Sequence, residues 1–452
     1  MRHISRGKQL VIATVAALLL ITGALNLRFA IGSDSGGEWE VDPAAPSQID
    51  LLTGAPIRTP NDLDSLIVSY QDELRAHPSN SDAATLLGHA YLQKARETGD
   101  PAYYPKAEEL FTNAFDRNDQ DFGAAIGLGT LALARHDFTD GLMWGERAKA
   151  LNPYSTAAYG VIGDALIELG RYDEAIVVIQ QMVDLRPELA SFARVSYIRE
   201  LTGDVSGAID AMERAAEAGA SRAENVAWTQ VQIGNLRFNS GDLEGAEAQY
   251  NASLTTLEDY VYGLAGLGKV AAARGEVDSA VDYYTRAIQR MPLPEFVIAL
   301  GETYEANGQP GEATKQYELV RAMIQLYSAN GVDTDIELAL FLADHGSDPA
   351  SAVEKAREGY SKRPGVKTAD VLSWALYRAG EYDDAWTYAQ EALRLGTQDA
   401  TMYFHAGMIA AALGDSATAG AYLTQALTIN PWFSPLHVAE AGETLNLIQA
   451  SS

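Results

Sequence analysis

Cysteine is missing from all 452 residues. Disulfides, thiolate nucleophiles and cysteine-ligated zinc or iron–sulfur sites are excluded with it. So is a lipoprotein anchor, which needs a cysteine just after an apolar segment. Basic residues are scarce, with 33 Lys and Arg against 61 Asp and Glu, for a formal charge of −28. A phosphate backbone asks for clustered cations, so nucleic acid is not an expected partner. The acidic residues are spread along the chain instead of forming a tail, which reads as a solvated acidic surface. No GxSxG or GxxxxGK[ST] motif occurs, and no histidine pair sits at i and i+4. The expectation is a non-enzyme without catalytic residues, metal or small-molecule cofactor.

Long apolar runs are rare too, and the one present is terminal. Leu10 to Leu27 carries no charge, follows Arg2, Arg6 and Lys8, and is closed by Arg28. A helix of that length rises roughly 27 Å, close to the thickness of a bilayer's hydrocarbon core. The basic flank predicts a cytoplasmic N-terminus (1–9), a transmembrane or signal-anchor helix (10–31) and a body outside the cytoplasm. A signal peptide is the competing reading, and the body is then secreted; a small-x-small cut site is hard to find. Residues 32–61 are rich in Gly, Ser, Pro and Asp without helical or strand periodicity, and read as a flexible linker.

The remaining chain is too long for one compact core and is strongly periodic. Glycine followed five residues later by alanine recurs at Gly170/Ala175, Gly203/Ala208, Gly241/Ala246, Gly275/Ala280, Gly308/Ala313, Gly380/Ala385 and Gly414/Ala419. Successive glycines lie 33, 38, 34, 33, 72 and 34 residues apart, and counting Gly346 divides the 72 into 38 and 34. Prolines follow in phase at Pro153, Pro187, Pro292, Pro364 and Pro431. Apolar residues fall at helical spacing on both sides of each glycine, as in Ile162, Leu166 and Leu169, then Ile176, Ile179 and Val183. The glycine ends a first helix in a left-handed conformation, and the alanine permits close crossing of the second. Proline, lacking an amide hydrogen, closes the second helix. A repeat of about 34 residues held this far predicts a solenoid.

Residues Tyr159, Ile162, Gly163, Leu166, Gly170, Tyr172, Ala175, Ile179 and Pro187 together resemble one tetratricopeptide repeat (TPR). So do Leu267, Gly268, Gly275, Ala280, Tyr284, Ala287 and Pro292, and then Tyr403, Gly407, Gly414, Ala419, Leu423, Ala426 and Pro431. The resemblance implies an all-α, right-handed superhelical solenoid of about ten helical pairs over 62–434, with a capping helix at 435–452. The first unit departs from it by an insertion around KARETGDPAYYP, and the segment after Tyr317 reads as an overlong second helix.

The resemblance also implies a concave face, formed by the first helix of each pair, that binds a protein or peptide. Transferred through the matching glycines, that face holds Trp228, Asn235, Phe238, Tyr262, Lys269, Trp374, Tyr377, Phe404 and Met408; about half are expected to pack between helices. Ala193 and Val231 stand where a carboxylate-gripping groove of this family would hold cations, which disfavours that mode. The functional expectation is a membrane-tethered scaffold organising an envelope complex. The alternative is an assembly or metal-handling accessory factor for an envelope transporter or enzyme, which requires His405, His437 and nearby carboxylates to converge.

Overall fold

The computed structural model describes residues 60–451, apart from 221 and 347. The basic N-terminus, the anchor and nearly all of the linker expected from sequence lie outside the described residues. Among those described, every regular element is an α-helix, and none is long and apolar enough to cross a membrane.

A single helix leads, α1 (Pro60–Ala76). Five helical pairs follow: α2 and α3 (Ser81–Thr98, Tyr103–Arg117), α4 and α5 (Phe122–Ala134, Phe138–Leu151), α6 and α7 (Thr156–Glu168, Tyr172–Leu185), α8 and α9 (Leu189–Leu201, Val205–Gly219), and α10 and α11 (Ala223–Asn239, Leu243–Thr256). Five more are α12 and α13 (Val261–Ala273, Val277–Arg290), α14 and α15 (Pro294–Ala306, Pro310–Ala329), α16 and α17 (Asp335–His345, Pro349–Lys362), α18 and α19 (Val366–Arg378, Tyr382–Ala392), and α20 and α21 (Ala400–Ala412, Ser416–Ile429). A last helix, α22 (His437–Ser451), packs on the end.

The seven glycines of the glycine–alanine signal end the first helices with φ between +69° and +82°, the region where a side chain is costly. Gly346 does not share this role. It closes α16 in an extended conformation, φ −90° and ψ 158°, so that turn is built differently. In the α4–α5 turn His136 takes the left-handed position, φ 61°. Asp204, Asp242 and Asp415 cap the following helices by accepting from Gly207, Gly245 and Thr418 amides. Glu276 and Glu381 sit at the same position and make no such bond.

Inside each pair, small residues meet large ones. Ala175, Ala208, Ala246, Ala280, Ala385 and Ala419 are wholly buried. A Cβ on Gly234 would lie 2.6 Å from the Tyr250 ring, and one on Gly268 3.0 Å from Tyr284, so these glycines admit the aromatic of the second helix. Ser196 stands at the equivalent place in α8, buried, and donates to Ala208 O at 2.8 Å.

Helix-on-helix packing runs between sequence neighbours and next neighbours, as expected for a solenoid. The superhelix nonetheless returns on itself through its loops. Tyr327 donates to Gly99 O at 2.7 Å, and Asp333 N donates to Arg135 O at 2.9 Å. His136 Nδ1 donates back to Asp333 O at 2.8 Å, Val366 N to Tyr172 Oη at 2.8 Å, and Thr397 Oγ1 to Leu201 O at 2.5 Å. A Cβ on Gly170 or Gly203 would clash with the carbonyl oxygen of Pro364 or Gly396, and one on Gly241 would lie 3.0 Å from Ile429 O. Turns of the second to fifth pairs thus rest on the linking loops about six pairs later. This seam stacks the second superhelical turn on the first. His136 is explained by it: its imidazole is buried in the seam, where a glycine would have no donor to offer.

Candidate functional site

Two registers recur along the first helices of the pairs, the helices expected to line the inner face. Trp228, Tyr262, Glu295 and Lys367 each stand thirteen residues before their turn glycine, and Tyr197, Asn235, Lys269, Glu302, Trp374 and Met408 stand six before theirs. The two positions are seven residues apart, about two turns, so each first helix carries them on one side.

The structure places the nine residues expected from sequence in three ways. Phe238, Trp374, Phe404 and Met408 are buried and serve packing. Trp374 lies between the rings of Tyr377 and His405, with centroids 4.8 Å and 4.2 Å away, and its Nε1 donates to Asp344 at 2.7 Å. Trp228, Asn235, Tyr262 and Tyr377 are half-buried. Asn235 Oδ1 accepts from Tyr250 Oη at 2.8 Å, and Tyr262 meets Tyr260 and Phe296 edge-on. Lys269 alone is exposed, with its Nζ 5.0 Å from the centre of the Phe238 ring. Phe238 and Tyr262 pack in one cluster with Tyr250, and Trp228 packs in a neighbouring one against Leu189, Ala193 and Met212, whereas the residues of α18 and α20 belong chiefly to the terminal core.

His405 and His437 converge on the Trp374 indole, not on a shared ligand position. His405 Nδ1 faces Asp370 at 3.0 Å, and His437 Nε2 faces Asp344 at 3.5 Å. Among the described residues no group of three or more His, Asp or Glu could hold a metal ion. Burial opposes the charge of His437, but bonds to Asp344 and Glu440 prevail and raise its pKa to about 9.

Electrostatics along the inner face are mixed. Burial pushes Glu295 up to about 7, against the opposing pull of its own backbone amide and Lys269. Desolvation by the protein packed around it lowers Lys269, although its side chain still reaches solvent, with Glu295 and Glu302 pulling the other way. Glu168, Glu200 and Asp399 are raised by burial as well. Sequence reasoning singled out Lys269 but missed Lys367, Glu295, Glu302 and Tyr197. The thirteen- and six-residue registers before each glycine carry the signal that finds them.

Models of the tetratricopeptide repeat match residues 156–189, 231–293 and 371–432. No curated protein matches the sequence. Similar solved structures include the APC/C hetero-tetramer Cut9–Hcn1, at 16% identity and TM-score 0.39, over 86% of this chain and 82% of that one. A thermophilic TPR protein of Thermus thermophilus is 19% identical with TM-score 0.36, over 46% of this chain and 99% of its own. A tetratricopeptide repeat protein from Parabacteroides merdae is 15% identical with TM-score 0.34, over 58% and 98%.

Proposed function

We propose that this chain, whose residues 156–189, 231–293 and 371–432 are tetratricopeptide repeats, is a non-enzymatic scaffold tethered to a membrane. It binds a protein or peptide on its inner face and organises an envelope complex. Repeats of this kind generally bind protein partners, and they leave the identity of the partner to a few side chains. The observation that carries the reading is the set of partly open side chains on α10 and α12, two consecutive first helices. Trp228 and Tyr262 offer flat apolar area, while Asn235 and Lys269 offer polar contacts, on consecutive repeats. That combination suits an extended segment with alternating apolar and polar needs. The basic-flanked apolar run Leu10–Leu27 supports the tether and a body outside the cytoplasm.

Crosslinking and pull-down from native membranes test the binding reading. Partners captured by the wild type are expected to be lost from Trp228→Ala and Tyr262→Ala variants that keep their helical content and melting behaviour. Capture of the same partners by both variants contradicts the assignment. Protease added to spheroplasts is expected to digest the body, and protection there contradicts the topology.

A further inference from the structure

The seam uses one edge of each superhelical turn and leaves the other edge bare. Turns within the second to fifth pairs rest on later loops, with His136, Gly170, Gly203 and Gly241 at the contacts. The later turns at Gly275, Gly308, Gly380 and Gly414 hold the same left-handed glycine, yet a Cβ there would meet nothing within 4 Å. These turns form a bare turn edge on the second superhelical turn. The loops between pairs in the first superhelical turn form a bare loop edge, where Tyr154, Leu185 and Pro187 are exposed. We propose that copies of this chain stack head to tail, the turn edge of one seating on the loop edge of the next. The contact repeats between molecules the seam that joins the two turns of one, and it is independent of what the inner face binds.

Both bare edges carry the parts from which the seam is made. In the seam, Gly170-Arg171-Tyr172 meets Arg363-Pro364-Gly365-Val366, and Tyr172 Oη accepts from Val366 N at 2.8 Å. The matching bare turn is Gly380-Glu381-Tyr382, and the matching bare loop is Arg186-Pro187-Glu188-Leu189. The two loops are held alike. Thr368 Oγ1 and Ser191 Oγ donate to Arg363 O and Arg186 O, and accept from the amides of Gly365 and Glu188. Leu189 N, the counterpart of Val366 N, has no acceptor among the described residues. Tyr172 is 7% exposed beneath its loop, whereas Tyr382 is 38% exposed. One difference is Glu188, whose Cβ stands where one on Gly365 would lie 3.1 Å from the tyrosine hydroxyl, so Tyr382 sits slightly further out. The Asn-Pro loops match as well. Asn430 and Pro431 rest on Gly241, and Asn430 Oδ1 accepts from Trp432 N at 2.9 Å. Asn152 Oδ1 accepts from Tyr154 N at 3.2 Å in the bare loop, leaving Tyr154 81% exposed.

Register selects a second copy of this chain as the occupant. Within the seam, a turn rests on the loop that precedes the pair six further on. The lone helix α22 follows a second helix and the lone helix α1 precedes a first one, so α22 of one copy and α1 of the next make up one pair. Counting through that pair, six on from the Gly380 turn is the pair that the Arg186–Pro187 loop of the next copy precedes. The same junction covers exposed apolar side chains: Tyr382 and Leu413 on the turn edge, Tyr154 and Leu185 on the loop edge, and Val68 and Leu447 on the lone helices. A contact between unlike surfaces leaves one of each free, so it grows into a filament. The charge of −28 on each copy opposes stacking, and salt screens it.

Sedimentation velocity of the full chain in detergent tests the stacking. Every variant shares the apolar N-terminal run, so differences among them report the edges. The wild type is expected to form a ladder of sizes that lengthens with concentration and with salt. Tyr382→Glu and Tyr154→Glu, one on each edge, are each expected to raise the concentration needed at least about ten-fold, since burying an unpaired carboxylate is costly. Mixed, they are expected to form a two-copy species and nothing longer, because each keeps one intact edge. Val177→Glu, at an exposed position off both edges, is expected to behave as the wild type. Glu381→Cys and Pro187→Cys, at the counterparts of the Gly170–Pro364 contact, are expected to be joined by a short thiol crosslinker when mixed and not when either is alone. A single-copy species at every concentration, a closed dimer, equal loss in Val177→Glu, no species on mixing the two Glu variants, or no crosslink between the mixed Cys variants overturns the proposal.

Discussion

Gly203→Ala and Gly275→Ala make the same chemical change at the same place in two repeats, and the stacked turns require them to differ. Both glycines have positive φ, +81° and +74°. Alanine in that region costs about 1–2 kcal/mol on backbone sterics alone. At Gly275 nothing lies within 4 Å of the added Cβ, so that cost is the whole effect. At Gly203 the methyl would be driven into the Gly396 carbonyl oxygen, and the facing loop must move. Forcing an extra carbon into a packed contact costs about 1–3 kcal/mol more. Gly203→Ala is thus expected to lose about 2–5 kcal/mol and Gly275→Ala about 1–2 kcal/mol. Solenoids often unfold in parts, so a single denaturant midpoint is a poor measure. Hydrogen exchange resolves the difference. In Gly203→Ala the amides of Val366 and Asp333, which donate across the seam, should exchange faster before the helices of either turn do. Equal losses in the two variants, with unchanged seam amides, would refute the reasoning.

Other consequences follow from the same contacts. Thr397→Val and Tyr172→Phe each delete one seam hydrogen bond, so each is expected to lose about 1 kcal/mol and to raise exchange at the opposing loop without disturbing its own repeat. Glu295→Gln should be more stable than the wild type near pH 8 and equal to it near pH 4. The raised pKa, about 7, means the folded chain holds the proton more tightly, so ionisation between pH 4.5 and 7 costs on the order of 3 kcal/mol. Urea titrations across pH check this, and a constant difference between the two proteins would contradict it. His437, raised to about 9 against 6.5, stabilises the docking of α22 fully below pH 6.5 and loses that contribution as pH rises through 9. His437→Gln should flatten this slope, and proteolysis of the C-terminal helix at pH 7 and pH 10 measures it.

Much of the repeat is local and therefore legible. A glycine needed for positive φ, and an alanine needed where helices cross, announce themselves at Gly170/Ala175 or Gly414/Ala419 because few other residues fit. The α4–α5 turn hides behind His136, which accepts backbone strain in exchange for a bond made 197 residues away. Gly346 shows the converse, a glycine in phase that does not take the left-handed turn. The seam has no local signature at all: Gly203 and Gly275 look alike in sequence, and only one meets another loop. On the inner face, the face of the helix was readable but depth was not. Trp374 and Lys269 share a register, yet one is closed over by Tyr377 and His405 and the other opens into a cavity.

Absence of native cysteine permits a direct measurement on the stacked turns. Spin labels placed by Arg171→Cys and Pro364→Cys stand on the two loops that meet at Gly170. Pulsed dipolar spectroscopy on the full chain is expected to give one short, narrow distance between them. A long or broad distribution would show an open superhelix, and the stacking of the second turn on the first would have to be abandoned.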